Sequence, residues 1–515
     1  MKKTLLIIGF IISIAGLRAQ NHDFLNINNI KAQINSAGDL FTDLPTYTGQ
    51  FEVPIGSGKT TFYTANLWIG GFDTAGYLHQ AAQTYRQTGT DYWQGPMMDS
   101  GNYSSAQDSI WNKVWKVNKT TIDSFRLGLF GTPPASIANW PGNGNISLGQ
   151  AAQLAPYADL NWNNIYEPNL GDYPLIPGDQ CIYFIFNDDR GIHSETGGRK
   201  LKAEIHAMAY AFNCPDSALW NTVFLHYDII NRSQNIYNNT KAGLWADMDL
   251  GYYSDDFTGC DTLLNCYYDY NGDTLDNLPS GYGSHPPAQG IASLTHPMTN
   301  YMPYNNDIST HGNPTEDFDY YGYLISEWKD STHLASGNYA YAGDPITSIG
   351  PSEAASGNPP GDRREVGTFV NSTFNAGDTI KLDLAAVFGR DYVGTNLTSI
   401  NVMKQRIQSV QNDFATNTTP CGTKFGPLSV SSVSSPKPLF TLYPNPAHND
   451  IYISANSSTK NFSYSIYNVL GEVILSGENV SSNLFGIDIS RLQSGIYILE
   501  MRAGKELQSH KFIKD

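Results

Sequence analysis

Short runs in which apolar and polar residues alternate recur along the chain, separated by clusters of Gly, Pro, Asn and Asp. Runs over 61–69, 181–187, 204–212, 222–231, 241–245, 322–328 and 379–388 are rich in Val, Ile, Tyr and Phe or in alternating Ala, and each predicts a strand. Period-two patterning sends side chains to opposite faces, so these segments specify sheets with at least one buried face. The helical period is rare. Ile400, Met403, Ile407, Val410 and Phe414 recur at spacings of three and four with Lys404, Gln405, Gln408 and Asp413 between them, which predicts an amphipathic helix packed on a sheet. Ile122, Phe125 and Leu129, after Thr120 or Thr121 as cap, predict a second, weaker helix. Many strands and few helices favour a mainly β fold, a large and jelly-roll-like β-sandwich, over any α/β arrangement across residues 20–425.

The pattern breaks at residues 426–438, a Ser- and Pro-rich stretch from Gly426 to Pro438 with nothing to pack, which reads as a linker. Beyond it, Ile451 and Ile453, Phe462, Tyr464 and Ile466, Val473 and Leu475, Ile487 and Ile489, and Ile496 and Ile498, the last pair opposing Tyr497 and Leu499, fall in period-two runs between closely spaced turns. That is the pattern of a small Ig-like β-sandwich of about seven strands over 439–515. At the other end, Met1-Lys2-Lys3 precedes an apolar run over 5–17 and the small Ala19. A positive start and a run this short predict a signal peptide over residues 1–19, because a membrane span needs about 20 apolar residues. No later segment reaches that length, so no transmembrane segment is expected in the mature chain.

Charge narrows the possibilities. The 515 residues include 48 Asp and Glu against 31 Lys and Arg, a formal charge of −17, and no basic stripe appears. Nucleic-acid binders gain affinity by releasing counterions to clustered Lys and Arg, so that class is excluded. Residues 439–515 hold six basic and seven acidic side chains, whereas residues 20–438 carry −19. The search for chemistry therefore turns to the central region.

Several ordered motifs in the last segment carry a family resemblance. Leu442-Tyr443-Pro444-Asn445-Pro446, Ile451-Tyr452-Ile453, Ser465-Ile466-Tyr467-Asn468-Val469-Leu470-Gly471, Leu492-Gln493-Ser494-Gly495-Ile496-Tyr497 and Lys511-Phe512-Ile513-Lys514 resemble the type A C-terminal sorting domain of the Bacteroidetes type IX secretion system. The resemblance implies passage to the periplasm, reading of the folded domain by the outer-membrane machinery, and its removal. Release or attachment to surface lipopolysaccharide follows, which implies a secreted or outer-surface protein. The phrases Leu67-Trp68-Ile69-Gly70-Gly71-Phe72-Asp73, Ala81-Ala82-Gln83-Thr84-Tyr85-Arg86, Gly171-Asp172-Tyr173-Pro174, Asp249-Leu250-Gly251-Tyr252-Tyr253 and 357–364 resemble an uncharacterised group of large secreted Bacteroidetes proteins. That likeness implies shared architecture and no catalytic residues.

The strongest chemical pattern is the loop over 159–172. Asp159, Asn161, Asn163 and the Ile165 carbonyl occupy the one-three-five-seven positions from which oxygen ligands wrap calcium, and Glu167 or Asp172 would close the shell. Asn164 stands where such loops prefer Gly. The same residues also build ordinary Asx turns, and both readings stay open. Asp269, Asn271, Asp273 and Asp276 repeat the spacing, and Asp247 and Asp249 crowd with Asp255 and Asp256 around Gly251. Calcium, in a structural role, is the expected ion.

Catalytic patterns are thinner. Residues 53–60 resemble a phosphate-binding loop, but Val53 stands where its first Gly is required, so nucleotide binding is declined. G-x-S-x-G and H-E-x-x-H are absent. His206 and His226 fall in strand-like runs, as satisfied sheet residues do. Cys260 and Cys266 could close a short disulfide loop in an oxidising compartment. The sequence thus points to an exported binding or adhesion module with a glycan or matrix ligand. The alternative is a secreted glycosidase-like hydrolase whose two carboxylates cannot be chosen among 41 acidic residues.

Overall fold

A computed structural model describes residues 21–87, 89–277, 279–426, 440–455, 462–468, 471–480, 484–503 and 506–515. The signal peptide at 1–19 and linker residues 427–438 lie outside the described residues. Two compact units divide the chain, Met1–Leu428 and Ser429–Asp515.

The framework of the first unit is built from β1 (Thr64–Phe72), β2 (Leu78–Ala81), α1 (Lys119–Arg126), β3 (Gln180–Asn187), β4 (Ala203–Ala211), β5 (Thr222–Asn231) and β6 (Tyr237–Asp247). It continues through β7 (Asp256–Asp261), β8 (Cys266–Asn271), β9 (Ala288–Ser293), β10 (Asn300–Asn305), α2 (Asp317–Leu324), β11 (Arg363–Phe374), β12 (Thr379–Gly389) and α3 (Asn396–Thr416). A nine-stranded sheet runs β7-β8-β9-β12-β5-β4-β3, completed by the short strands Trp93–Gln94 and Trp115–Asn118, both on β3. A five-stranded sheet runs β10-β11-β6-β1-β2. Pairing is antiparallel within both.

The nine-stranded sheet is covered on both faces. Ile182, Phe184 and Phe186 of β3 join Ile205, Val223 and Leu225 in a core shared with Leu67, Ile69, Leu244 and Phe369 of the five-stranded sheet. Their strand neighbours Cys181, Tyr183 and Ile185 point the other way, into a second core with Ile400, Met403, Ile407 and Val410 of α3 and with Trp111, Ile137, Trp140 and Tyr166 from the long segment before β3. That explains the near-continuous apolar run over 181–186, since a strand buried twice has no face to leave polar. A third cluster backs the five-stranded sheet, where Tyr320, Tyr323 and Leu324 of α2 pack on Trp68, Trp245 and Tyr304. The two indoles stack 5.8 Å apart, an arrangement contributing about 0.5–1.5 kcal/mol beyond its area.

The structure alters three sequence expectations. Residues 322–328 form no strand; α2 ends at Leu324, and its Tyr320, Tyr323 and Leu324 are a buried stripe at three and four residues. The helix expected through Leu129 ends at Arg126, starts from Asn118 rather than a Thr cap, and leaves Leu129 70% exposed. Cys260 and Cys266 are not bonded. Cys260 stands opposite Tyr267 and Asp261 opposite Cys266, so the two thiols are one residue out of register and face opposite cores. Cys214 pairs instead with Cys421, across 207 residues, fastening the chain after α3 to the end of β4.

The second unit has a three-stranded sheet, β13 (Phe440–Tyr443), β14 (Asp450–Ala455) and β17 (Leu484–Asp488), and a four-stranded sheet, β15 (Phe462–Tyr467), β16 (Val473–Val480), β18 (Gly495–Ala503) and β19 (Glu506–Lys514). Ile451, Ile453, Ile466, Leu499 and Phe512 fill the space between them.

The seat of α3 rests on glycine. A Cβ at Gly389 would lie 2.4 Å from the Met403 nitrogen, whereas one at Gly101 meets nothing within 4 Å. Gly389→Ala should lower stability by about 1–3 kcal/mol in denaturant titrations, and Gly101→Ala should change it little. Equal stabilities would show that α3 is not held at this distance.

Candidate functional site

The loop over 159–172 is tied by its own acids. Asp172, fully buried, accepts the amides of Leu160 at 2.9 Å and Glu167 at 2.8 Å. Asp159 Oδ1 accepts Trp162 N and its Oδ2 accepts Asn164 N, each at 2.7 Å. Asn161 Oδ1 accepts Asn163 N, Asn163 Oδ1 accepts Ile165 N, and Glu167 Oε2 accepts the side-chain amides of Asn161 and Asn163. The predicted residues thus come together, with these oxygens directed at the loop's own N–H groups in Asx turns. Asn164 takes the left-handed backbone expected of it, at φ 61°. Trp162 does too, at φ 62°, a conformation that bulky residues rarely occupy. The consequence is a hydrogen-bonded tip from which the Trp162 side chain stands 80% exposed, flanked by exposed Leu160 and Ile165.

Beside that loop opens a cleft of about 460 Å³. Its wall is fastened to the loop through Asn143, which donates to the Tyr166 carbonyl at 3.0 Å and accepts its N–H at 2.7 Å. Gln107, Asn143, Asn145 and Gln150 supply side-chain amides, and Ile110, Trp111, Ile146 and Leu148 supply apolar surface. No lining side chain titrates. Asn145 Oδ1 and Gln150 Oε1 hold backbone amides of the wall, which leaves their NH₂ groups and the Gln107 amide unclaimed among the described residues. Sequence reasoning missed this cleft because amides spread over 107–150 form no motif.

A second cleft, of about 310 Å³, contains Tyr304, His311, Trp328, Tyr341, Glu353 and Arg363. Its single carboxylate is already engaged. Glu353 Oε1 takes Arg363 Nε at 2.9 Å, and Oε2 takes Thr258 N at 2.8 Å.

Most other predicted acids lie in the interior. Asp269 and Asn271 of β8 are buried with Asp256 of β7, while Asp273 is an exposed turn residue that caps Leu275 N, and Asp276 holds the amides of Tyr252 and Tyr282. The spacing over 269–276 therefore does not converge on one ion. Glu365 Oε2 accepts from Thr258 and Tyr301, yet Glu365 Oε1, Asp256 Oδ1, Asp269 Oδ1 and Asn271 Nδ2 are buried without a hydrogen-bond partner among the described residues. Burial, reinforced by neighbouring carboxylates, pushes Glu365 up to about 7 and Asp256 and Asp269 well above the carboxylate range. Burial likewise pushes Asp276 up to about 7. His206 is a satisfied sheet residue, whereas His226 is engaged through Nδ1 and has its Nε2 3.5 Å from Asp228 Oδ1. His206 bonds Glu204 at 2.9 Å and His226 bonds Asp383 at 2.7 Å. Asp247 and Asp249 meet a residue the spacing did not suggest, Asp362. Its only sequence signal was the recurrent phrase over 357–364.

The second unit has the compact, seven-stranded form its motifs predicted, and residues 441–515 match the family described as the secretion system C-terminal sorting domain. Residues 441–515 are a type IX secretion sorting domain. The sorting domain marks a secreted or outer-surface protein and implies interaction with the type IX machinery. Among the described residues no helix is long and apolar enough to cross a membrane. No curated protein matches the chain. Among solved structures, a polysaccharide lyase is similar at 7% identity and TM-score 0.20, covering 60% of this chain and 34% of its own. The BSP domain of a biofilm associated protein is similar at 8% identity and TM-score 0.14, covering 59% and 61%. This chain thus spans about a third of the lyase's length.

The interior acids set a pH dependence. Glu365 and Asp276 titrate near 7 when folded against ordinary values of 4.5 and 3.8, so the stability linked to their protons is complete below about pH 4 and is lost as pH rises through 7. His226 acts in the same direction. Burial alone would lower it, but hydrogen bonds to Asp228 and Asp383 raise it to about 9, and its contribution is lost as pH rises from 6.5 through that value. Melting in chelator should therefore shift downward from about pH 5 to about pH 8.5. A flat or rising profile would contradict the burial of these acids.

Proposed function

We propose that residues 21–426 form an extracellular binding body for neutral oligosaccharides, delivered by the sorting domain, with calcium as its structural ion. The observation that carries the reading is the lining of the larger cleft: four side-chain amides beside apolar walls, with no titratable group. Amides donate and accept at fixed positions and apolar walls cover sugar C–H faces, which suits recognition. Acid–base cleavage needs paired carboxylates on either side of a bond, and the cleft supplies none. Trp162 adds an exposed indole on a hydrogen-bonded loop, the kind of platform on which a pyranose ring stacks.

Calcium belongs to this proposal through the loop of Asp159, Asn161, Asn163, Ile165, Glu167 and Asp172, whose tight winding would be reinforced by an ion. After export, attachment to surface lipopolysaccharide and release to the medium both expose the cleft to its ligand.

A glycan array of the purified full chain tests the reading. Neutral oligosaccharides should bind, Trp162→Ala and Gln107→Ala should each weaken the best ligand about tenfold, equivalent to about 1.4 kcal/mol, and melting should be unchanged. Binding indifferent to both substitutions, or cleavage of the arrayed glycans, would refute it.

A further inference from the structure

At one end of the five-stranded sheet, carboxylates outnumber the cations that face them. β6 ends on Asp247, Asp249 follows two residues later, and Asp362 immediately precedes β11. One carboxylate oxygen from each lies within 4.8 Å of the others. Asp247 is 1% exposed. Its Oδ2 accepts Tyr85 OH at 2.7 Å and pairs with Arg364 Nη2 at 3.1 Å, while its Oδ1 is buried with no hydrogen-bond partner among the described residues. Asp362 is held by Arg364 Nη1 and by Asn306 Nδ2 at 3.0 Å. The Asp249 carboxylate makes no hydrogen bond to any described residue, while its backbone carbonyl accepts Gly251 N at 2.8 Å.

Among the described residues Arg364 is the one guanidinium shared by Asp247 and Asp362, so when all three acids are ionised two of the three negative charges are left uncompensated. A buried, ionised carboxylate oxygen without a partner is costly enough that native structures satisfy it, commonly by water or an ion. Oxygens up to 4.8 Å apart match ligands that lie 2.3–2.6 Å from one calcium. The set is hard oxygen throughout, which excludes softer metals as the preferred occupant.

We propose that Asp247, Asp249 and Asp362 form a divalent-cation site of the calcium class, with Arg364 orienting two of the ligands and Asp249 waiting for the ion alone. The neighbouring guanidinium weakens the site, placing it with extracellular calcium sites near about 0.1–1 mM. The site does not depend on the oligosaccharide reading, because these residues take no part in either wall of the larger cleft.

Terbium titration of the full chain tests it, since the Tyr85 hydroxyl that bonds Asp247 belongs to a ring 5.3 Å from Trp245, and both rings can sensitise a bound lanthanide. Saturable emission displaced by calcium is expected, with one component lost in Asp249→Asn and retained in Asp159→Asn. Asp249→Asn should also raise melting in chelator, by removing an uncompensated charge, while reducing the rise that calcium produces. Asp362→Asn supplies the same readout if the first variant fails to fold. No calcium-displaceable emission, or full emission in a folded Asp249→Asn or Asp362→Asn variant, overturns the site.

Discussion

The fold depends on burying one large sheet on both faces. A nine-stranded antiparallel sheet whose inner face packs on a second sheet could have left its outer face in water. Here Tyr183, Tyr210, Phe224 and Tyr268 occupy that outer face, and each is fully buried. The cover is α3 on one part and the long segment before β3 on the other. Loops that would otherwise be free connections thus become a packed layer, pinned by Trp111, Ile137, Trp140 and Tyr166. The cleft and the Trp162 tip stand on that layer, so the sheet beneath positions them.

The same constraint governs the acids. Polar residues on strands buried on both faces have no solvated side to turn to, so Asp256, Asp269 and Glu365 end in the interior. Part of the −19 of the central region is consequently stored inside the protein, at a desolvation cost that raised proton affinity or a bound cation offsets. At the sheet end, Asp247, Asp249 and Asp362 face the same problem, with Arg364 the one cation that pairs with them among the described residues. In the proposed reading recognition and charge storage are separated: the cleft proposed for the ligand has no titratable lining side chain, and the carboxylates lie elsewhere in the frame.

Much of the architecture was legible because sheets are written locally. The runs over 181–187, 222–231 and 379–388 fall on β3, β5 and β12, and the stripe from Ile400 to Val410 falls on the buried face of α3. The sorting domain was legible as ordered motifs. Residues 322–328 misled because the end of α2 at Leu324 and the turn after it carry Tyr323, Leu324, Ile325 and Trp328, apolar residues spaced closely enough to resemble a strand. The Cys260–Cys266 pairing failed because proximity in sequence says nothing of which face a thiol occupies. The winding of the loop from Asp159 to Asp172 could be anticipated from spacing, whereas the exposure of Trp162 could not. Asp362 comes more than a hundred residues after Asp249, and only the pairing of β6 with β11 brings them together.

Hydrogen–deuterium exchange of the full chain, with and without a saturating oligosaccharide, asks most directly whether recognition lies in the covering layer. Protection is predicted in peptides spanning 105–111, 143–150 and 159–167, with strands β3 to β5 unchanged. Protection confined to 300–311 and 353–363, the walls of the second cleft, would contradict the account.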